Sequence, residues 1–310
     1  MVVYKQVSSN TFKTWILITL FLGLIIGLGW FFSYYYNSPG ILIFAVLFSV
    51  FSAFFSYWFS DKIVLRLAGA REIAKKSDFP ELYRIVENLA IAAGLPMPKL
   101  YVIDDPSPNA FAAGRNPKNA VVAVNRGLLE ILDKSEVEGV IAHELSHVGN
   151  RDILLMTIVV VLVGIVSLLS DWFLRMRFWG LGRSSRDSDS RQQSGLIAII
   201  GLIMMILAPI VGSLIQLAIS RKREFLADAD AVLITRYPKG LADALRKIAL
   251  TNVQPRFAHS ATSHLYIASP FKEDAKGVGG ELPDTPWHVN LFSTHPPIKQ
   301  RISVLEKMSQ

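Results

Sequence analysis

Hydrophobic and polar positions in this chain fall into separate blocks. Residues 14–36, 41–60, 153–170 and 194–220 contain no Asp, Glu, Lys or Arg, and each block is near or above the roughly 18–20 residues a helix needs to cross a hydrocarbon core. Only Asn37-Ser38-Pro39-Gly40 separates the first two, which predicts a helical hairpin. The third block, the shortest, fits either a membrane span or a buried core helix. Pro209 and Gly212 predict a kink in the fourth. Between the blocks the periodicity changes. Leu82, Ile85, Val86, Leu89 and Ala93 mark one face of a helix over 80–93, with Asp78 as N-cap, Glu81 three residues on, and a stop at Gly94-Leu95-Pro96. Residues 100–103 and 120–124 read as short strands, the second following a Gly114-Arg115-Asn116-Pro117 loop. Ser135 and Glu138 form a second cap signal, opening a helix over 135–150. The chain resumes as helix at Arg221, turns loop-rich over 252–294 and ends in a helix over 298–308. Residues 183–194, rich in Ser, Arg, Asp and Gln, read as a mobile loop. No internal repeat is present.

Composition supports a membrane protein. The chain is 51% hydrophobic and 18% charged, with a mean hydropathy of +0.37, too apolar for an ordinary soluble domain. The first block is too long for a signal-peptide core and runs into a second span with no small-residue cleavage site between them. The net charge of +7 comes largely from residues flanking the spans, including Lys5, Lys13, Lys62, Arg66, Arg71, Lys75 and Lys76. No stretch interleaves basic and aromatic residues on a soluble face, so a nucleic-acid partner is excluded. The positive-inside tendency places the N-terminus and residues 61–152 in the cytoplasm. Four crossings then return residues 221–310 to the same side. Against this, Arg175, Arg177, Arg183, Arg186 and Arg191 crowd the connection between the third and fourth blocks, and an 18-residue span reaches only about 27 Å. The alternative is a hairpin that dips into the membrane and leaves that connection inside.

The run His143-Glu144-Leu145-Ser146-His147 carries the chemistry. Histidines at i and i+4 project from one helical face and can bind a single tetrahedral Zn²⁺. Glu144, on a neighbouring face, is placed to take a proton from attacking water. The plain alternative is an exposed helix that happens to hold two histidines. A catalytic zinc needs a third ligand. Asn150 and Ile153 occupy the positions where a metzincin has Gly and His, and the chain has no cysteine, so the ligand must come from elsewhere. Glu224 and Asp228 form another i, i+4 pair. One of them could bind zinc while the other accepts the free ring N–H of a ligating histidine; alternatively, they belong to a charged helix flanking the membrane. Topology favours the first reading. The His143–His147 helix enters the third block at once, the fourth block ends just before Glu224, and an even number of crossings brings the two together at the membrane surface.

These motifs resemble those of the HtpX-type integral-membrane zinc metalloproteases, gluzincins related to the CAAX prenyl proteases. The resemblance rests on Leu95-Pro-Met-Pro98, Pro108-Asn-Ala-Phe-Ala-Ala-Gly-Arg115, His143-Glu-Leu-Ser-His-Val-Gly-Asn-Arg-Asp152, Ser220-Arg-Lys-Arg-Glu-Phe-Leu-Ala-Asp228 and Thr294-His-Pro-Pro297 with Arg301. It implies a mainly α fold with a small β-sheet and active-site helices that continue into or adjoin transmembrane helices. The domains would be a hairpin at 1–60, protease segments at 61–152 and 221–310, and a second hairpin at 153–220. One Zn²⁺ per chain would sit on His143, His147 and Glu224, with Glu144 as catalytic base. Asp228 and Arg301 would support the ligands, and His295 would be an oxyanion donor. Asn109, Ala110, Phe111 and Ala112, with 121–124, would form an exposed edge strand for the substrate; the alternative for them is a core strand. His259, His264 and His288 fit surface or structural roles. The implied activity is cleavage of misfolded membrane proteins in quality control, at the cytoplasmic face of the inner (plasma) membrane. Two rivals remain: a scaffold with a degenerate site, and a transporter, which would want ionisable residues within the spans.

Overall fold

The structure, a computed structural model, describes residues 2–181, 221–251, 253, 256, 267 and 296–309. Two long helices open the chain, α1 (Val2–Tyr35) and α2 (Pro39–Leu67), joined by a tight turn in which Asn37 takes a positive φ of 49°. The two are apolar all round, and about half of their large hydrophobic side chains, including Phe12, Trp15, Leu20, Phe44, Leu47 and Phe51, remain exposed. A soluble protein buries such a surface; here its natural solvent is lipid. The face α2 does bury is small, with Ala45, Ser49, Ser52, Ala53, Ser56 and Ser60 in helical register. Small residues let membrane helices approach closely, and the hydroxyls of Ser49 and Ser56 donate to their own helix, to Val46 O and Ser52 O. Leu17, Ile18, Phe21 and Ile25 of α1 complete this packing with Leu155, Ile158 and Leu162 of a third helix, α6 (Asp152–Leu181).

A four-stranded sheet lies between these helices and the rest of the domain. Its order is β1 (Arg71–Glu72), β2 (Lys99–Ile103), β4 (Ala120–Asn125), β3 (Ala110–Gly114); β2 and β4 are parallel and the outer pairings antiparallel. Period-2 alternation gives the sheet two apolar faces. Ala110, Ala112, Val122 and Val124 join one core with Val140, Ile141 and Leu145. Phe111, Ala113, Val121 and Ala123 join the other, with Val64 and Leu65 of α2 and Met156 and Val160 of α6. The sheet therefore fastens the membrane helices to the domain.

The remaining helices are α3 (Pro80–Ala92), α4 (Arg126–Ile131), α5 (Lys134–Gly149), α7 (Arg221–Thr235), α8 (Pro238–Leu250) and α9 (Ile298–Lys307). Both cap predictions need correction. Helix α3 starts at Pro80 behind Phe79 with no side-chain cap, because proline at the first helical position already sets φ and has no N–H to satisfy. Two overlapping cap patterns precede α5, and Asp133 with Glu136 wins over Ser135 with Glu138. Asp133 Oδ1 accepts from Glu136 N at 3.0 Å, Glu136 Oε2 accepts from Asp133 N at 2.8 Å, and Ser135 only donates to Asp133. Helix α8 packs close on α5 because both contact residues are glycines: a Cβ on Gly139 would lie 2.7 Å from Leu241 N, and one on Gly240 2.6 Å from Ser135 O.

Helices α5 and α6 meet at 86°. The corner is built by Asn150-Arg151-Asp152, where Arg151 takes a positive φ of 55°. Among the described residues, two helices are long and apolar enough to cross a membrane, or three if α5 and α6 count as one broken span. Helix α6 continues past the 18 apolar residues seen in the sequence, through its 30 residues, but the added turns carry Asp171, Arg175 and Arg177, so its apolar reach stays at about 27 Å. The 183–194 loop and the fourth apolar block lie outside the described residues.

Candidate metal centre

Helix α5 is central and almost wholly buried, including His143, Glu144 and His147. The i, i+4 spacing puts the two imidazoles on one face with their Nε2 atoms 3.3 Å apart. Helix α7 lies alongside and brings Glu224, whose Oε2 is 3.7 Å from His143 Nε2 and Oε1 3.6 Å from His147 Nε2. Ligands on a tetrahedral ion with bonds of 2.0–2.1 Å sit about 3.4 Å apart. The triangle therefore matches one zinc-sized cation, and among the described residues this is the cluster that could hold a metal.

Each imidazole uses its other nitrogen on a carboxylate. His143 Nδ1 is 2.9 Å from Asp228 Oδ1, and His147 Nδ1 is 3.0 Å from Asp152 Oδ2. These contacts fix both rings with Nδ1–H donating, so each Nε2 lone pair faces the triangle. Arg301 of α9, fully buried, grips Asp228 through Nε–Oδ2 at 2.8 Å and Nη2–Oδ1 at 2.6 Å, and its Nη1 donates to Ile267 O at 3.0 Å. The geometry is bidentate, the strong form of this pair. The structure thus brings together His143, Glu144, His147, Glu224, Asp228 and Arg301; His295, His259, His264 and His288 lie outside the described residues.

Electrostatics follows from burial. Desolvation pushes Glu144 up to about 8, against the pull of His147. His143 falls below the ordinary histidine value because burial outweighs Asp228. His147 goes the other way: burial opposes its charge, but Asp152, then Glu224 and Glu144, lift it to about 9. Burial would raise Asp228, yet the Arg301 charge and hydrogen bonds hold it down at about 2. The protein-only site thus carries protons that a dication would displace.

Glu144 faces the sheet, where its Oε2 accepts the Ala112 N–H at 2.8 Å. The strand bearing Ala112, β3, is the edge strand, as expected, whereas residues 121–124 belong to β4, an interior strand. The edge is not exposed: Asn109, Ala110, Phe111 and Ala112 are all buried. Asn125 N bonds Asn109 O, so Ala110, Ala112 and Gly114 face away from β4. Side chains take their N–H groups: Asn109 Oδ1 that of Ala110, Glu144 that of Ala112, and Thr157 Oγ1 that of Gly114.

Asp152 was missed from the sequence. It reads there as the polar end of a helix, yet it is the carboxylate partner of His147. The signal was an acidic residue five positions past the second histidine, directly ahead of an apolar run. Asn150 and Ser146 were missed too; both bond Asp230 Oδ2, at 2.8 and 2.9 Å, and so lock α5 to α7.

Residues 76–309 match peptidase family M48. The chain belongs to that family. Curated relatives named "Protease HtpX homolog" include one from Caldanaerobacter subterraneus subsp. tengcongensis, 44% identical over 308 residues, covering 99% of this chain and 98% of its own. Others are from Dictyoglomus thermophilum, 44% identical over 310 residues with 99% and 95% covered, and Thermococcus sibiricus, 44% identical over 300 residues with 96% of each covered. The crystal structure of S. mikatae Ste24p shares the fold, with a TM-score of 0.51 at 17% identity over 98% of this chain and 67% of that one. This M48 chain is therefore a membrane metalloprotease, mainly helical with a small sheet.

Proposed function

We propose that this M48 peptidase is a zinc endopeptidase that cuts membrane proteins at the cytoplasmic membrane surface, in quality control of the inner membrane. The observation that carries this is the ligand triangle of His143, His147 and Glu224, with both histidines backed by carboxylates and Glu144 beside an edge strand. A degenerate scaffold would have no reason to keep all of these groups aligned and buried. One zinc per chain is the metal best suited to two imidazoles and a carboxylate with an open fourth position.

Bound zinc supplies Lewis acidity for activating water and polarising the scissile carbonyl. Glu144 accepts the proton of the attacking water and delivers it to the leaving amide nitrogen. Its acceptor role requires the ionised carboxylate, which a neighbouring dication favours against burial. Asp228 and Asp152 hold the two imidazoles, and Arg301 holds Asp228. The substrate main chain lies along β3 at residues 109–112, using the outward carbonyls, since side chains already occupy the outward N–H groups. His295 is the candidate donor to the developing oxyanion. The hairpin at 1–60 and a second one at 153–220 anchor the protease segments at 61–152 and 221–310.

The test is zinc stoichiometry together with cleavage of an unfolded membrane protein by wild type and Glu144→Gln. One zinc in each, with turnover only in the wild type, is expected. Equal turnover in the variant removes Glu144 from the base role, and the absence of both zinc and cleavage in the wild type leaves the scaffold reading.

A further inference from the structure

The outer support of the metal triangle does not end within the protease domain. Asn10 lies near the N-terminal end of the apolar stretch Val7–Tyr35 of α1 and is buried. Its Nδ2 donates to Asp152 Oδ1 at 2.5 Å and to Asn150 O at 3.2 Å. Its Oδ1 accepts from Arg223 Nη1 at 3.5 Å, and that guanidinium also lies 3.6 Å from Asp152 Oδ1. The other Asp152 oxygen holds His147 Nδ1. An amide buried on a helix otherwise packed through apolar contacts costs stability unless its polar atoms are paired. Here the amide nitrogen is turned to the α5–α6 corner and the amide oxygen to Arg223 of α7.

We infer that Asn10 is a positioning residue: it fixes the Asp152 carboxylate, which in turn fixes His147, so metal affinity depends on the docking of the first membrane helix. Without the amide, Asp152 keeps on that oxygen only the long contact to Arg223, with the Lys13 charge nearby, and its carboxylate is held less firmly. His147 then loses part of the constraint on its ring. Because Asn10 belongs to the N-terminal hairpin, a chain with α1 displaced would retain all three ligands but hold the metal less tightly. The inference rests on His147 being a ligand, as proposed above.

The experiment is zinc affinity by competition with a chromogenic chelator, on the full chain in detergent micelles. Removing a carboxylate partner of a ligating histidine typically costs 10–100-fold; Asn10 acts one bond further out, so Asn10→Leu should cost about 3–10-fold. Asn10→Asp, equal in size, turns a carboxylate onto Asp152 and should cost more. Thr14→Val is the control, since buried Thr14 one turn on donates only to Asn10 O of its own helix; it should stay within about two-fold. In an Asp152→Asn background, Asn10→Leu should add less than about two-fold, because the path it acts through is already cut. Wild-type affinity in both Asn10 variants overturns the inference, as does an undiminished loss in the Asp152→Asn background, which would mark simple helix packing. Should Asn10→Leu not fold, the isosteric Asn10→Asp decides alone. Failure of the wild type to bind one zinc would instead overturn the metal reading, an outcome distinct from both.

Discussion

Replacing Arg301 by Met tests how the buried charges divide their work. The guanidinium is fully buried and makes two hydrogen bonds to Asp228, with a third to Ile267 O. Methionine fills much of the space but leaves the Asp228 carboxylate buried without its cation. Breaking one side of a buried pair costs about 3–5 kcal/mol, which for a protein of this size lowers the unfolding midpoint by roughly 6–20 °C. Asp228 then takes up a proton and no longer presents an anion to His143 Nδ1, 2.9 Å away. Zinc affinity should fall by about 10–100-fold as that histidine loses its acceptor. The double variant Arg301→Met, Asp228→Asn removes the stranded charge, so it should recover a good part of the stability and none of the affinity. Thermal unfolding followed by tryptophan fluorescence, paired with chelator competition, measures both quantities on one preparation. If the single variant unfolds earlier while binding zinc within about three-fold of wild type, Arg301 serves packing alone and the chain from Arg301 through Asp228 to His143 has been misread.

Glu224→Ala should abolish stoichiometric zinc binding after dialysis, whereas Asp228→Asn should retain zinc with affinity lower by about 10–100-fold; tight zinc in Glu224→Ala would reassign the third ligand. Zinc affinity should rise about tenfold or more per pH unit between 6 and 8, because binding must displace the proton held on His147 at about 9, and a flat profile by competition titration would refute this. The metal-free protein should lose stability over the same direction of pH: the raised His147 contributes fully below about 6.5 and fades as pH climbs through about 9, and the raised Glu144 acts with the same sign up to about 8. In this cysteine-free chain, an impermeant thiol reagent on intact cells should label Ser38→Cys; labelling of Ser185→Cys as well supports four crossings, and labelling only after the membrane is opened indicates a second hairpin that dips and returns.

What the sequence made legible and what it hid divide along a physical line. Helical spacing is local, so the pairing of His143 with His147 and of Glu224 with Asp228 could be read from period alone, and the absence of charge over 45 or so residues sufficed for the first hairpin. Even the meeting of Glu224 with the histidines followed from counting apolar segments. Hydropathy, however, reports where a helix is apolar rather than where it ends. It marked the first apolar block from residue 14, while α1 begins at Val2, so Asn10 fell outside the block although it lies within the helix. It also ended the third apolar block at 170, although α6 continues through Asp171, Arg175 and Arg177 to Leu181. Cap signals were ambiguous for a related reason: Asp133 and Ser135 each have a Glu three residues on, and only the preceding turn after α4 decides which residue adopts the extended backbone. The edge strand was found by its place ahead of the histidine helix, but its burial depends on side chains distant in sequence, Glu144 and Thr157, which take up its N–H groups. The same distinction explains why Asp152 went unnoticed. As the last polar residue before an apolar run, it has an ordinary role, an acid at a helix N-terminus. Its second role exists because the left-handed turn at Arg151 bends the chain by 86° and swings that carboxylate back onto His147. One corner thus redirects the chain from the metal helix to α6 and orients one of the proposed ligands. Docking of α1 at that corner therefore bears on the metal as well as on the fold.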